Sequence, residues 1–553
     1  MRFDGRAGHG LAAGRQVSIF NVGSGTVNWR AEILAGREWL SIAPATGSAT
    51  PVNPNALTLT PLPGGLGVRS QYALVRISDP QAVNSPRYLV AVLNLGRDDA
   101  AALPDPSPQG LVFVAQIGGT VPTTQRVVLF TSSSTPVPFQ AAAATADGAA
   151  WLSLTPATGT TSTAQPAQLT VAVSLAGLRA GVYWGDVTIA FSSTQIRTVN
   201  VTLIVLPSPC ATARAAAGCT PSRLSLAQTG LVNSFSTPAG WPVPLSVRLT
   251  DDCGDPVAGG QMVATFSNGD PALPMRHSQA GVYAGTWTPV RAASQLTITA
   301  RATAPGLAAA SVELNGAVTA NRAPVLYRNA VLNNLNPEPG PLAPGTVAQI
   351  YGSDLARAPG GPDSVPLPTS FQGTQVLAGG IEAPLFYVSG SQINAQLPAE
   401  LAPGREHSIL VAAGSAYTTP DSIFTTSVRP GIAVFSGGRV IAQRPDYTLV
   451  TDDSPARPGD LLVLYLVGMG ATQPIVASGA PSPGSPLAEA TTQPTVTIGG
   501  RPAEILFAGL TPFGVGLYQI NLRVPAGVTA GELPVVITQG GVSANAATLP
   551  VRN

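Results

Sequence analysis

Three histidines, the residues most often used for proton transfer and zinc binding, are spread along the 553-residue chain as His9, His277 and His407. None has a second histidine or a cysteine within five residues, although zinc motifs need such pairs at short spacing. The sequence also lacks the GxSxG, HExxH and phosphate-loop motifs of common enzymes. We therefore predict surface histidines, no cofactor and no metal site, and we predict that the protein is not an enzyme.

Three cysteines, Cys210, Cys219 and Cys253, allow one disulfide and leave one thiol over. Cys219 precedes a predicted strand at Arg223–Ala227, and Cys253 lies in the turn sequence DDCGDP. In an immunoglobulin-like sandwich, the segment entering the first strand lies at the same end as the loop after the second. We therefore predict a Cys219–Cys253 disulfide. A Cys210–Cys219 bond that closes a small loop, or three reduced thiols, are the alternatives.

Acidic residues form two short clusters, which comprise Asp251, Asp252 and Asp255, and Asp446, Asp452 and Asp453. Calcium needs six to eight oxygen ligands, and neither cluster has the spacing of a known calcium loop. We interpret these residues as turn formers whose carboxylates accept hydrogen bonds from backbone amides. A carboxylate pair for glycoside hydrolysis needs only to meet in space, so a glycosidase or its accessory remains a further alternative.

Six tryptophans lie in the first 290 residues. Trp39 and Trp151 each stand immediately before a leucine at the start of a predicted strand, which favours core packing. The alternative is that Trp39, Trp151 and Trp184 stack on sugar rings. Trp184 aligns with Tyr72 in the repeat described below, which indicates a tolerant, partly buried position.

Two QIN sequences, Gln392–Asn394 and Gln519–Asn521, resemble motifs. We interpret them as structural, with a buried amide that hydrogen-bonds the backbone of a neighbouring loop.

The composition predicts an all-β protein with a packed core. Glycine (59) and proline (53) punctuate the chain, and 44% of its residues are hydrophobic. Apolar residues alternate with polar or small ones, as at Leu169, Val171, Val173 and Leu175, which is the period of a β-strand. Sequence stretches with helical periodicity and length are lacking, so we expect a chain almost free of helix.

Charge excludes several partners. Only 10% of the residues are charged, the net charge is +1, and all 29 basic residues are arginine. A chain with no basic block is a poor ligand for nucleic acid or anionic membranes. The longest apolar run is strand-like, so we predict no membrane span. The N-terminal sequence MRFDGRAGHG shows no signal-peptide pattern, so we expect a processed chain or a shortened gene model.

Internal repeats determine the organisation. WLSIAPATGS at Trp39–Ser48 returns as WLSLTPATGT at Trp151–Thr160, and Phe3 aligns with Phe113. A second repeat aligns the QIN sequences near the C-terminus. With the proline-rich linkers, these periods predict a tandem array of about five immunoglobulin-like β-sandwich modules. Their predicted ranges are 1–97, 108–207, 219–318, 322–433 and 434–553.

Three family resemblances accompany these modules. The WLSxxPxxG phrase and the aromatic at Trp29 or Phe139 resemble BACON domains, whose name includes carbohydrate binding. LTDDCGDPV at Leu249–Val257 and GTWTP at Gly285–Pro289 resemble an invasin-type bacterial Ig-like domain. LAPGTVAQIYGSDLA at Leu342–Ala356, with the QIN-containing phrases, is similar to an uncharacterised C-terminal module of secreted acidobacterial proteins, typified by Solibacter.

Together these features predict a secreted or cell-surface protein without enzyme activity, for adhesion, matrix assembly or glycan contact. Its expected partners are a polysaccharide or other surface proteins. A structural subunit of an extracellular filament or surface layer, which would self-assemble through open strand edges, is the alternative.

Overall fold

The computed structural model describes residues 1–6, 14–62, 66–96, 104–108, 110–131, 133–179, 181–206, 220–231, 233–278 and 281–552. Within these residues the chain forms 47 strands and no helix. The prediction of an all-β tandem array of β-sandwiches is confirmed. We number the modules from first to fifth after the five predicted ranges and assign each strand to the module whose sheet it joins. The strands at Asp105–Ser107 and Gly431–Ile432 therefore belong to the second and fifth modules, although they lie outside the predicted bounds.

The first module has eight strands: β1 (Arg2–Arg6), β2 (Arg15–Ile19), β3 (Val27–Ala35), β4 (Leu40–Ala43), β5 (Thr46–Ala49), β6 (Asn55–Pro61), β7 (Ser70–Ser78) and β8 (Arg87–Gly96). They form a five-stranded sheet in the order β1-β8-β7-β3-β5 and a three-stranded sheet in the order β2-β6-β4. The edge strand β1 runs parallel to β8, and Phe3 pairs with Leu93.

The second module has nine strands: β9 (Asp105–Ser107), β10 (Gly110–Gln116), β11 (Gln125–Phe130), β12 (Val137–Thr145), β13 (Leu152–Thr155), β14 (Thr158–Thr161), β15 (Ala167–Val173), β16 (Gly181–Ala190) and β17 (Ile196–Leu206). Its sheets have the orders β10-β17-β16-β12-β14 and β13-β15-β11-β9. The five-stranded sheet repeats the order found in the first module, and Phe113 pairs with Leu203 as Phe3 does with Leu93.

The third module has eight strands: β18 (Leu224–Gln228), β19 (Phe235–Pro238), β20 (Val243–Asp251), β21 (Gln261–Phe266), β22 (Leu273–His277), β23 (Val282–Trp287), β24 (Ala293–Ala304) and β25 (Leu307–Thr319). They follow one continuous path, β18-β20-β23-β22-β21-β24-β25-β19. Strand β22 pairs with both β21 and β23 and so joins the two halves of the sandwich.

The fourth module has ten strands: β26 (Val325–Asn333), β27 (Val347–Ser353), β28 (Ser370–Phe371), β29 (Thr374–Ala378), β30 (Ile381–Glu382), β31 (Leu385–Val388), β32 (Gln392–Gln396), β33 (Glu406–Ala413), β34 (Ala416–Tyr417) and β35 (Asp421–Phe424). One sheet has the order β26-β27-β32-β31. In the other, β28-β29-β33-β34, strands β30 and β35 pair with β29 and β33.

The fifth module has twelve strands: β36 (Gly431–Ile432), β37 (Ala442–Gln443), β38 (Leu461–Val467), β39 (Thr472–Gln473), β40 (Glu489–Ala490), β41 (Thr495–Ile498), β42 (Arg501–Pro502), β43 (Glu504–Leu510), β44 (Tyr518–Arg523), β45 (Gly531–Gln539), β46 (Val542–Ser543) and β47 (Ala547–Val551). One sheet has the order β36-β38-β44-β43-β40-β39, with β37 on β38. The other has the order β42-β41-β45-β46, with β47 on β45.

Separate clusters of buried hydrophobic residues lie within residues 111–205, 224–318, 326–423 and 432–551. By contact density the chain divides into two compact units. One comprises Met1–Arg76 and Leu89–Arg322, and the other Ile77–Tyr88 and Ala323–Asn553. The features discussed next lie within single units.

Candidate functional site

Two of the three candidate sugar-stacking tryptophans are in the core. The Trp39 side chain is fully buried, its ring packs edge-on against Phe3 at 6.3 Å, and its Nε1 donates to the Tyr72 carbonyl at 3.3 Å. Trp151 is 2% exposed, and its Nε1 donates to Asp147 Oδ1 at 3.2 Å. Neither ring presents a face to a sugar, because each is enclosed by its own module.

The repeated WLSxxPxxG phrase also has a packing role at its glycine. A β-carbon on Gly47 would stand 2.6 Å from the Trp29 ring, and one on Gly159 would stand 2.9 Å from the Phe139 ring. Both separations are shorter than van der Waals contact. The glycines therefore allow the aromatic residue of the neighbouring strand to lie across the backbone.

Trp184 is in a different environment. It lies on β16, where Gly185, Val187 and Ile189 face the core and the intervening residues face outward. Its side chain is 53% exposed. About half of the side chain is therefore buried, in agreement with the partly buried position expected from the alignment with Tyr72. A large aromatic ring with half its surface in water is a feature of ligand-contact positions.

Polar side chains flank Trp184 on the same outward face. Asp186 is two residues further along β16, and it pairs across the sheet with Asn200 on β17. Asn200 Nδ2 donates to Asp186 Oδ1 at 2.7 Å. Because a carboxylate only accepts hydrogen bonds, this contact fixes the orientation of the Asn200 amide. In the described part of the chain no other hydrogen bond engages either side chain, so Asp186 Oδ2 is available to a ligand.

These residues line one wall of a cleft between the second and third modules. The opposite wall comes from β18 and β25, and it includes Arg223, Ser225 and Ser311. The cleft has a volume of about 380 Å³, which is at the lower end of the usual range for ligand sites. Its lining combines one exposed aromatic ring with several hydroxyl, amide and charged groups.

Backbone contacts hold the two walls together. Thr198 forms an antiparallel bridge with Asn233 of the third module. Gly110, at the start of β10, lies so close to Gln228 that a β-carbon there would be 1.6 Å from the Gln228 carbonyl oxygen. The close contact between the second and third modules therefore requires glycine at position 110.

The equivalent face of the first module has different chemistry. Matching strand positions place Tyr72, Leu74, Val90 and Val92 where the second module has Trp184, Asp186, Asn200 and Thr202. Leu74, Val90 and Val92 are 3% exposed or less. Tyr72 Oη accepts a hydrogen bond from Trp241 Nε1 at 3.1 Å. Apolar residues close this face in the first module, and polar residues with a tryptophan replace them in the second.

Sequence reasoning missed Asp186, Asn200 and Arg223. The available signal was the replacement of Leu74 by Asp186 and of Val90 by Asn200 between the two copies. A change from aliphatic to polar at repeat-equivalent strand positions indicates that one face changed its environment while the core face did not.

Arg223 forms a long ion pair with Asp252. Arg223 Nε lies 4.0 Å from Asp252 Oδ2. Asp252 also accepts hydrogen bonds from Ser222 N at 2.9 Å and Ser222 Oγ at 2.6 Å. Burial raises the pKa of Asp252, but these hydrogen bonds from Ser222 and Arg223 outweigh burial and hold that pKa below its usual value. Asp252 is therefore ionised at neutral pH.

The prediction of surface histidines is wrong for His407. This residue is 6% exposed, and its Nε2 lies 2.8 Å from the Ala402 carbonyl oxygen. Its ring also lies close to Gly379, where a β-carbon would stand 2.8 Å from His407 Nδ1. His277 is half-buried, and its ring packs against Tyr283 at 5.3 Å. His9 lies outside the described residues.

The acidic clusters contain turn-forming residues and ion pairs. Asp251 Oδ1 accepts from the backbone N–H groups of Cys253 and Asp255, both at 2.9 Å. Asp446 Oδ1 accepts from Thr448 N and Thr448 Oγ1. Asp452 pairs with Arg439 at 2.8 Å. The residues that the structure describes hold no group of three or more potential metal ligands.

Cys253 is buried and disulfide-bonded. Its predicted partner, Cys219, lies outside the described residues, and so does Cys210. The Cys219–Cys253 pairing therefore remains a prediction.

The interpretation of the QIN sequences needs correction. Gln392 Nε2 donates to Asn394 Oδ1 at 2.8 Å, and Gln519 Nε2 donates to Asn521 Oδ1 at 3.0 Å. Each pair lies on one face of an inner strand and is half-buried. The amides bond to each other along the strand and not to the backbone of a neighbouring loop.

Comparison with known families supports the first resemblance. Residues 7–65 and 107–203 match the model of the viral BACON domain. The first two modules are therefore similar to BACON domains. The matched residues do not extend to the modules that carry the invasin-type and Solibacter-type resemblances. The comparison with curated proteins found no match to the sequence. The described residues form no helix of the length and apolarity needed to cross a membrane.

The solved structures that are similar to this chain share little sequence identity with it. A Bacteroides ovatus mixed-linkage glucan utilisation protein, SGBP-B, in complex with a heptasaccharide, has 12% identity and a TM-score of 0.25, with 62% of this chain and 71% of that chain covered. The human desmocollin-1 ectodomain has 10% identity and a TM-score of 0.15, with 93% and 92% covered. Sidekick-1 immunoglobulin domains 1–5 have 12% identity and a TM-score of 0.17, with 97% and 99% covered. These likenesses concern the fold alone.

Proposed function

We propose that this chain is a non-enzymatic, extracellular or cell-surface protein that binds a polysaccharide in the cleft between its second and third modules. The observation that carries the proposal is the exposed Trp184 ring beside the Asp186–Asn200 pair. Sugars present an apolar face of C–H groups and a rim of hydroxyls. A flat aromatic ring packs against the first, and carboxylate and amide groups bind the second.

The comparison between repeats supports the same proposal. The first module closes the equivalent face with Leu74, Val90 and Val92, which are buried. The second module has a carboxylate, an amide and a hydroxyl there. Burying polar groups without hydrogen-bond partners is unfavourable. Polar groups beside an exposed ring therefore suit a face that water covers when no ligand is bound. A ligand rich in hydroxyl groups can replace that water.

A tandem array of modules that binds a polysaccharide would serve in adhesion or matrix assembly. A filament or surface-layer subunit is the second candidate from the sequence, and negative-stain microscopy of the purified chain separates the two. Regular polymers formed without added polysaccharide would favour the filament.

The test is affinity electrophoresis of the full chain through gels that contain soluble glucans, xylans, mannans or galactans. We expect retardation by at least one polysaccharide. Trp184→Ala should weaken that binding by tenfold or more, equivalent to about 1.4 kcal/mol, whereas Trp184→Phe should retain part of it. The matched control is Ile475→Ala, which removes an 84% exposed apolar side chain from the fifth module.

Three results would contradict the proposal. The first is polysaccharide binding that Trp184→Ala leaves unchanged, which would place the site elsewhere. The second is release of new reducing ends from a bound polysaccharide by the purified chain, which would make the protein a glycan-processing enzyme. A chain that no polysaccharide retards would also exclude the proposed ligand class.

A further inference from the structure

We propose that Asp186 makes the cleft selective for neutral glycans and excludes glycans that carry carboxylate or sulfate groups. This inference rests on the proposed function, because it assigns the ligand class of the same cleft. It adds a specificity-determining residue that neither the BACON resemblance nor the repeat sequence assigns.

The charged residues in the lining of the cleft differ in their partners. Asp186 and Arg223 are the charged residues among those that line the cleft. Arg223 lies near Asp252, with 4.0 Å between Nε and Oδ2, and Asp252 is held ionised by its hydrogen bonds to Ser222. Asp186 has no cationic partner among the residues that the structure describes, since its contact there is the neutral amide of Asn200. Of the two charged residues in the lining, Arg223 therefore has an acidic partner outside the cleft, and Asp186 has no cationic partner within the described residues.

The Asp186 carboxylate can also accept a hydrogen bond from a ligand. A carboxylate accepts hydrogen bonds and donates none. Asn200 Nδ2 donates to Oδ1, so Oδ2 is left to accept a hydrogen bond from a ligand hydroxyl. Sugar hydroxyls supply such donors. A uronate carboxylate or a sulfate supplies none, and its charge would be repelled by Asp186 in a recess where screening by water is reduced.

The spacing between Trp184 and Asp186 also supports the inference. Trp184 and Asp186 are two residues apart on β16, so their side chains emerge from one face about 7 Å apart. A sugar ring stacked on Trp184 would therefore bring its own hydroxyls, or those of the next sugar, to Asp186. The residue at that position in the first module is Leu74, which can provide neither the charge nor the acceptor.

The experiment measures binding of the full chain to the neutral polysaccharides above, and to polygalacturonate and alginate as carboxylate-bearing probes. The wild-type chain should bind a neutral polysaccharide at least tenfold more tightly than either polyuronate. Asp186→Asn keeps the shape and the contact with Asn200 but removes the charge. It should raise affinity for the polyuronates by about tenfold and so reduce the preference. Asp186→Ser removes the same charge and guards against a folding defect in one variant.

The matched control is Asp453→Asn, which changes the net charge equally at an exposed site in the fifth module. It should leave the preference unchanged. Equal or tighter binding of polyuronates by the wild-type chain would overturn the inference. An unchanged preference in both Asp186 variants would also overturn it, even if Trp184→Ala abolishes neutral binding and the proposed function stands. If Trp184→Ala left the binding of neutral polysaccharides unchanged, that result would instead contradict the proposed function. This inference would then fail with it.

Discussion

Trp184 and Tyr72 occupy the same strand position in the two copies of the repeat, but among the described residues only the Tyr72 side chain is hydrogen-bonded to another module. Tyr72 Oη accepts a hydrogen bond from Trp241 Nε1 at 3.1 Å, and burial raises the pKa of its hydroxyl. Trp184 keeps 53% of its surface exposed beside the cleft. One repeated fold thus presents a closed face in one copy and an open face in the other.

Trp39→Ala and Trp151→Ala should each destabilise the module that contains the residue by about 3–5 kcal/mol, because truncating a buried tryptophan leaves a large cavity. Differential scanning calorimetry of the full chain should show one transition shifted in each variant. Trp184→Ala is the control, and it should change stability by less than about 0.5 kcal/mol. Variants of Trp39 and Trp151 that melt like the parent would contradict the core assignment.

Gly47→Ala and Gly159→Ala should cost about 1–3 kcal/mol, because the added methyl group overlaps the Trp29 or Phe139 ring. Chemical denaturation followed by tryptophan fluorescence measures the change. Gly67→Ala is the matched control, since a β-carbon there would have no atom within 4 Å. Equal stability of the motif and control variants would show that the glycine is not needed for packing.

Gly110→Ala should weaken polysaccharide binding although it changes no residue of the cleft lining. The new β-carbon would overlap the Gln228 carbonyl oxygen, so the second and third modules must separate there and the two walls must move. Affinity electrophoresis alongside Trp184→Ala measures the loss. Gly259→Ala, whose β-carbon would have no atom within 4 Å, should bind normally. Full binding by Gly110→Ala would indicate that one wall suffices.

A disulfide between Cys219 and Cys253 should staple the third module. The loop that it closes spans 34 positions, for which chain entropy gives a stabilisation of about 3–4 kcal/mol. Peptide mapping without reduction should recover the two cysteines in one linked fragment, and Cys253→Ser should lower the stability of the third module. A Cys210–Cys253 or Cys210–Cys219 fragment would contradict the pairing.

Glu400 should make the stability of the C-terminal unit depend on pH. Its carboxylate accepts from Ser478 Oγ at 2.6 Å and Ser478 N at 3.2 Å, which joins the fourth and fifth modules. Burial raises the pKa of Glu400, but these hydrogen bonds outweigh burial and lower it below 4.5. The resulting stabilisation is present above pH 4.5 and is lost as the pH falls through the lowered pKa.

Glu400→Gln should therefore melt at a lower temperature than the parent at pH 7, and the difference should shrink at pH 3. Calorimetry at both values measures this, and the exposed Glu338→Gln is the control. A difference in melting temperature that is equal at pH 7 and pH 3 would show that the charge of Glu400 is unimportant.

Prediction from the sequence succeeded for features that follow a repeated local pattern. It failed for features that depend on contacts with other parts of the fold. Period-two alternation and the repeated Trp39–Ser48 phrase were sufficient for an all-β array, because strand periodicity and turn residues are local properties. His407 was placed on the surface because it has no ligand partner nearby in sequence. It lies instead on a strand flanked on both sides in its sheet, and the apolar run that follows it, at Ile409–Ala413, was the available signal.

The sequence by itself determined the all-β class, the internal repeats and the absence of a basic block or recognised catalytic motif, because these depend on composition and spacing along the chain. Only the tertiary structure decided which tryptophan is exposed, since Trp39, Trp151 and Trp184 all lie at or beside strands. It also brought Asp186 and Asn200 opposite Arg223 and Ser311, residues from two modules that no local pattern connects. Strand pairing and module packing set such distances, and both depend on contacts between residues that are far apart in sequence.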